Sequence, residues 1–311
     1  MNARSSIEIL TPREVPLGGL RAMTVRRTLP QRERSFIGGW CFLDHYGPDP
    51  VAETGGMMVT PHPHTGLQTV SWLFTGEIDH VDSAGNAATV RPGELNLMTA
   101  GRGISHTEVS TAGTTILHGA QLWVALPSAS RFIEPGFEHY APPAITGHRW
   151  QARVFLGSLF GSTSPVSTYS ALLGVEIVLA PQARLVLPLD ASYEHGILLD
   201  SGDLVVDDVT VLESELAYAD LGATSLTLTS RAGARLLLLG GVPLGEEIVM
   251  WWNFVGRSDE EIRSFRAAWQ AQLVARESGP ELVDGDFGVP AGALPPIPAP
   301  ELPSVRLKPR R

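Results

Sequence analysis

Pro61-His62-Pro63-His64 and Gly103-Ile104-Ser105-His106-Thr107-Glu108 each set two metal-competent side chains two residues apart, in runs that read as strand. Residues two apart on an extended strand point to one face, so two neighbouring strands could aim three imidazoles and one carboxylate at a single point. Residues 66–102 between them are rich in Val, Thr and Leu. Thr75-Gly76, Ser83-Ala84-Gly85-Asn86 and Pro92-Gly93 punctuate this stretch, which therefore reads as antiparallel strands joined by tight turns.

Several runs carry a wider likeness: Thr60 to Val70, Gly76 to Gly85, Arg91-Pro92-Gly93-Glu94, Met98 to Glu108, Gln121 to Val124 and Met250 to Arg257. Together they resemble the pirin family, two-barrel members of the cupin superfamily. The resemblance implies an all-β bicupin, with two antiparallel, jelly-roll-like β-barrels facing each other. Carried over residue by residue, the family's metal ligands fall on His62, His64, His106 and Glu108, and all four are present.

The pattern departs from many cupins at Gln68, where those proteins place a ligand glutamate. A neutral amide is a poor ligand, so Glu108 is left as the carboxylate, and Gln68 is expected to hydrogen-bond the ligands from behind. His118, in an expected core strand, is a second candidate for that supporting role. His45, His80, His139 and His148 lack convergent spacing and are assigned structural or exposed positions. His195 reads as a loop histidine without a metal.

A chain of 311 residues with 32 Gly and 24 Pro suits two strand-rich domains better than a helical protein. The expected division is a metal-binding barrel over 1–140, a linker over 141–149 and a ligand-free barrel over 150–256. A helix over 257–278 and a Pro-rich extended tail over 279–311 complete it. Ser258 and Glu261 suggest a capping box for the helix, and Ile262, Phe265, Trp269 and Leu273 mark its apolar face. The tail's recurring Leu, Ile and Val suggest that part of it docks.

The single cysteine, Cys41, fits a reducing compartment and a small buried position. With neither a signal-like N-terminus nor a long apolar run, a cytoplasmic, membrane-free protein is expected, and a monomer is the working assumption. The net charge of −10 argues against direct nucleic-acid binding. Arg306, Lys308, Arg310 and Arg311 read as a solvated basic tail.

Three imidazoles and one carboxylate favour a transition metal over Ca²⁺ or Mg²⁺. Fe(II) is the first choice, as the resemblance also implies, with Zn, Mn, Ni, Co and Cu as alternatives. The resemblance implies quercetin 2,3-dioxygenase-type oxidoreductase chemistry on a small aromatic or enolic substrate with O₂, in which Glu108 is also the catalytic proton acceptor. The second class it implies is a metal- or redox-responsive regulatory protein acting on a protein partner, a transcription factor or a metabolic enzyme.

Overall fold

The computed structural model describes residues 7–17, 23–278, 287–292 and 294–311. The N-terminal residues read above for a leader, and the first part of the Pro-rich tail, lie outside the described residues. The chain is mostly strand, arranged as two cupin domains with a C-terminal helix, as expected.

Each half contains a seven-stranded sheet and a four-stranded sheet, and every pairing between named strands is antiparallel. In the first half the larger sheet is centred on Leu67–Thr75, Ile116–Ala125 and Trp40–Pro50. The smaller sheet runs Met58–His64, Ile104–Ser110, Ile78–Asp82, Ala87–Val90. In the second half the larger sheet is centred on Glu194–Gly202, Ala234–Gly241 and Leu172–Leu179.

The two large sheets pack against each other through an apolar layer. It includes Leu43, Val70, Trp72 and Leu122 from one side, and Phe155, Leu198, Leu237 and Leu239 from the other. Trp72 stacks on Phe155 with ring centroids 4.4 Å apart. The Trp40 indole N–H points across the same layer towards the carbonyls of Gly240 and Leu173, at 3.1 and 3.3 Å. Because strand side chains alternate, one face of each large sheet belongs to this layer and the other faces its own domain's interior.

Two expectations about boundaries are corrected. The first barrel is expected over 1–140, but Ile7–Leu10 pairs with Leu216–Ala219 at the edge of the second domain's large sheet. Within the expected linker, Ile145–Gly147 pairs with Trp150–Leu156 at the opposite edge of that sheet. These two strands are the edges of that sheet, and they pair the backbone groups of Leu216–Ala219 and Trp150–Leu156 that would otherwise be exposed.

The helix spans Asp259–Ser278. Ser258 Oγ accepts the Glu261 N–H at 3.2 Å, which supplies the expected N-cap. The Glu261 carboxylate reaches one residue further back than a standard capping box would, to the Arg257 N–H at 2.6 Å, and it also holds Arg131 through two contacts of 2.7 Å. Ile262 and Trp269 are fully buried, with Phe287 and Ala299 packed beside them. The described part of the Pro-rich tail is docked. Trp269 Nε1 donates to the Ile297 carbonyl at 2.8 Å, and the Leu307 N–H donates to Asp259 at 2.8 Å. The Arg310 backbone bridges that of Ile248.

Candidate metal centre

His62 lies directly across from His106, and His64 across from Ile104, in the pairing of Met58–His64 with Ile104–Ser110. Between His106 and Glu108 the register shifts, because the 58–64 strand carries one extra residue next to Pro61. Proline has no N–H to give the ladder, so a bulge there costs little, and it re-aims the strand at its functional end. The three imidazoles come together with ring centroids 4.3 Å apart for His62 and His106, and 5.0 Å for each of the other two pairs. Their candidate ligand atoms lie within 4.8 Å of one another. His106 and Glu108 also form a second such group with His80.

All these side chains are buried. Burial lowers the imidazole pKa values, to about 4 for His62 and well below the usual range for His64 and His106. Burial likewise raises Glu108, an effect opposed by His80 and by the Ser71 hydrogen bond. Neutral imidazoles are the form that ligates a metal.

The donor set fits a cation. His62 Nδ1 is 2.9 Å from the Thr60 carbonyl, which makes it the protonated nitrogen and leaves Nε2 as a lone-pair donor. His64 Nδ1 and His106 Nε2 are buried with no hydrogen-bond partner among the described residues. Buried polar atoms without partners are costly, and a metal ion would satisfy both at once.

His80 is the residue that sequence reasoning missed. Assigned a structural or exposed position, it is buried in Ile78–Asp82, the neighbour of Ile104–Ser110 on the side away from His62. His80 Nδ1 stands 3.2 Å from His106 Nδ1, and His80 Nε2 stands 3.4 Å from Asp82. Asp82 is fixed in turn by the Asn86 side chain and by the backbone N–H groups of Ala84 and Asn86. Burial pushes the Asp82 carboxyl up, but hydrogen bonds from His80 and Asn86 outweigh it and leave it below its ordinary value. With Asp82 ionised, His80 donates to it from Nε2 and accepts at Nδ1. His106 then donates from Nδ1 and keeps Nε2 free for a metal. The available signal was His80-Val81-Asp82, an alternation that puts two polar side chains on one strand face, but its meaning depends on knowing the neighbouring strand.

The expected supporting roles of Gln68 and His118 are corrected. On Leu67–Thr75, Ser71 faces the domain interior and hydrogen-bonds both Glu108 Oε1 at 3.0 Å and Gln121 at 2.9 Å. Gln68 shares a face with Val70 and Trp72, which belong to the layer between the domains, and donates to Thr99 at 2.9 Å. His118 also faces the second domain. Its Nε2 and that of His45 converge on Asp200 Oδ1 at 2.6 and 2.8 Å, the contact from His118 being poorly aligned for a hydrogen bond. Asp200 also stands 3.7 Å from Arg235, and Arg26 stands 3.3 Å from His45. His45, assigned a structural or exposed position, is a buried strand residue, whereas His139 and His148 are exposed. His195, expected in a loop, is fully buried on Glu194–Gly202.

A cavity of about 530 Å³ opens onto His62, His64, His106 and Glu108. Phe42 and Trp123, stacked 4.0 Å apart, form one wall, with Trp123 meeting the His64 ring edge-on at 5.2 Å. Trp251, Trp252 and Asn253 also line it, as do Ile297 and Pro300 of the tail. The Ile297 N–H donates to the Pro61 carbonyl at 2.8 Å, which ties the tail to the residue preceding His62. This shape would hold a flat, mostly apolar ligand against clustered donor atoms.

Comparisons with known proteins agree with this fold. The family model for Pirin matches residues 22–124, and that for the Pirin C-terminal cupin domain matches residues 174–274. A Pseudomonas aeruginosa protein named "Putative quercetin 2,3-dioxygenase PA1205" is 43% identical over 297 residues, covering 94% of this chain and 91% of its own. A pirin-like protein of Caulobacter vibrioides is 36% identical, covering 85% of this chain and 92% of its own. Among solved structures, a quercetin 2,3-dioxygenase from Acinetobacter baumannii superposes with a TM-score of 0.86 at 35% identity, covering 97% of each chain. A bacterial pirin from Escherichia coli, solved in complex with nickel(II), shares the fold at a TM-score of 0.61 and 19% identity, covering 76% of this chain and 100% of its own.

Proposed function

Because the chain belongs to the pirin family, we propose that His62, His64, His106 and Glu108 hold one divalent transition metal, Fe(II) in the native protein. We further propose that the protein is a quercetin 2,3-dioxygenase-type oxidoreductase acting on a flavonol or similar enolic substrate with O₂. The observation that carries this reading is the pair of orphaned imidazole nitrogens, on His64 and His106, facing one point beside an aromatic-walled cavity.

Bound there, the metal would lower the pKa of a chelated substrate hydroxyl and bring an electron-rich carbon next to O₂. The protein's own residues do the rest. Phe42 and Trp123 orient a planar ring, and the tryptophans at 251 and 252 limit water at the cavity. Ser71 fixes Glu108 Oε1, which leaves Oε2 to accept the hydroxyl proton. Asp82 and His80 hold the His106 ring in one tautomer.

The test is anaerobic loading with Fe(II), followed by O₂ uptake against a panel of flavonols. Turnover that requires both substrate and the four residues supports the reading. Full iron loading without turnover on any flavonol would instead favour a regulatory binding role in which the same site senses metal or redox state.

A further inference from the structure

The cavity is lined by Arg13, Arg27 and Arg310 and by two carboxylates, Glu108 at the metal centre and Asp44 beside it. Arg13 and Arg27 are direct cross-strand partners, and Arg27 is in turn the partner of Asp44, so these three form one row across adjacent strands. Arg27 takes both Asp44 oxygens at 2.7 Å and lies over the Phe42 ring at 4.3 Å. Among the described residues, no carboxylate pairs with Arg13 or Arg310. Arg13 donates to the Pro30 carbonyl at 2.8 Å, and burial together with Arg27 and Arg310 lowers its pKa against the opposing pull of Asp44. Arg13 and Arg310 also line an adjoining cleft of about 670 Å³, with Arg32, Lys308 and Arg311.

The tail's cations are not equivalent. Arg306 is paired with Glu260 and Arg311 with Glu247, whereas Arg310 faces the cavity without an acidic partner among the described residues. In a chain of net charge −10, this concentration of positive charge at one opening is a local departure from the global sign.

We propose that this arginine vestibule recognises a carboxylate, so that the cavity's ligand is an aromatic or enolic acid. Its planar end lies against Phe42 and Trp123, and its carboxylate meets Arg13 and Arg310. The proposal rests on the cavity being the substrate site and names the class of substrate it takes. Guanidinium suits this task because its planar fork matches a carboxylate bidentately.

The experiment is isothermal titration with 3,4-dihydroxybenzoate and its neutral near-isostere 3,4-dihydroxybenzamide, using metal-free and Co(II)-loaded protein at low and high salt. The expected result is at least about tenfold tighter binding of the acid at low salt. That preference should shrink with salt and collapse in Arg13→Gln and in Arg310→Gln, while Arg306→Gln retains it. Either cavity variant suffices if the other fails to fold. Equal affinity for acid and amide, no binding of either probe at millimolar concentration, or a preference that survives both cavity substitutions would overturn the proposal. A preference seen equally with and without Co(II) still supports the vestibule, and removes support only from chelation at the metal centre.

Discussion

Glu108 is held from one side by Ser71 and stands next to both His80 and His106, so holding a metal and moving a proton can be separated there. Glu108→Gln keeps an oxygen donor but removes the charge. Turnover per bound iron should fall by about 10² to 10⁴, beyond any loss of occupancy, as kinetics normalised to metal content would show. At His80 the expectation differs, because it touches no proposed substrate. His80→Gln should weaken metal affinity by about 10- to 100-fold while the far-ultraviolet circular dichroism stays that of the wild type. Competition with a calibrated chelator measures it. The two residues also mark what single positions disclose. His62, His64, His106 and Glu108 stood out because their i, i+2 spacing is itself a geometric statement. His80 and Asp82 have the same spacing, but their meaning depends on which strand lies beside them, and one sequence does not state that register.

Strand parity explains the misplaced supporting residues. Gln68 and Ser71 are three apart on Leu67–Thr75, hence on opposite faces, and the inner face belongs to Ser71. Turn and strand chemistry is legible: residues 66–102, which read as antiparallel strands joined by tight turns, form Leu67–Thr75, Ile78–Asp82, Ala87–Val90 and Leu95–Thr99, and Ser258 caps the helix as expected. What no local pattern could disclose was long-range pairing, as with Ile7–Leu10 against Leu216–Ala219, or Asp200 meeting His45 and His118 across the interface. His195, buried on its strand, has its pKa lowered by burial to about 4, an effect that Asp190 and the Tyr193 backbone only partly offset. A neutral folded histidine with a depressed pKa binds fewer protons than its unfolded counterpart between about pH 4 and 6.5. Stability is therefore retained above that window and lost as pH falls through it, by up to about 1.4 kcal/mol per pH unit. His195→Leu should remove this share of the pH dependence, as urea titrations of metal-free wild type and variant at several pH values would show.

At the scale of the molecule, the two candidate ion sites differ in charge balance. The cluster of His45, His118 and Asp200 already has Arg235 and Arg26 beside it, whereas the cluster around His106 has buried donor atoms without a hydrogen-bond partner among the described residues. One tightly bound metal per chain is expected by elemental analysis, and a second equivalent lost with His45→Ala would contradict it. The tail's anchoring gives another test. Trp269→Ala removes a fully buried ring and the hydrogen bond to Ile297, and should cost about 3–5 kcal/mol in stability. Cleavage within residues 287–311 by a trace of protease should accelerate, and metal should be lost faster to a chelator. The docked tail was only partly legible, because its scattered Leu, Ile and Val have no periodicity that specifies a surface. The pairing of Ile7–Leu10 with Leu216–Ala219 bears on how the protein is made. A ribosome emits the first of these segments some two hundred residues before the second, an interval of roughly 10–40 s at typical synthesis rates. During that interval the nascent edge strand has no mate, and the tail that walls the metal cavity does not yet exist, so the centre is completed only after both domains have been translated.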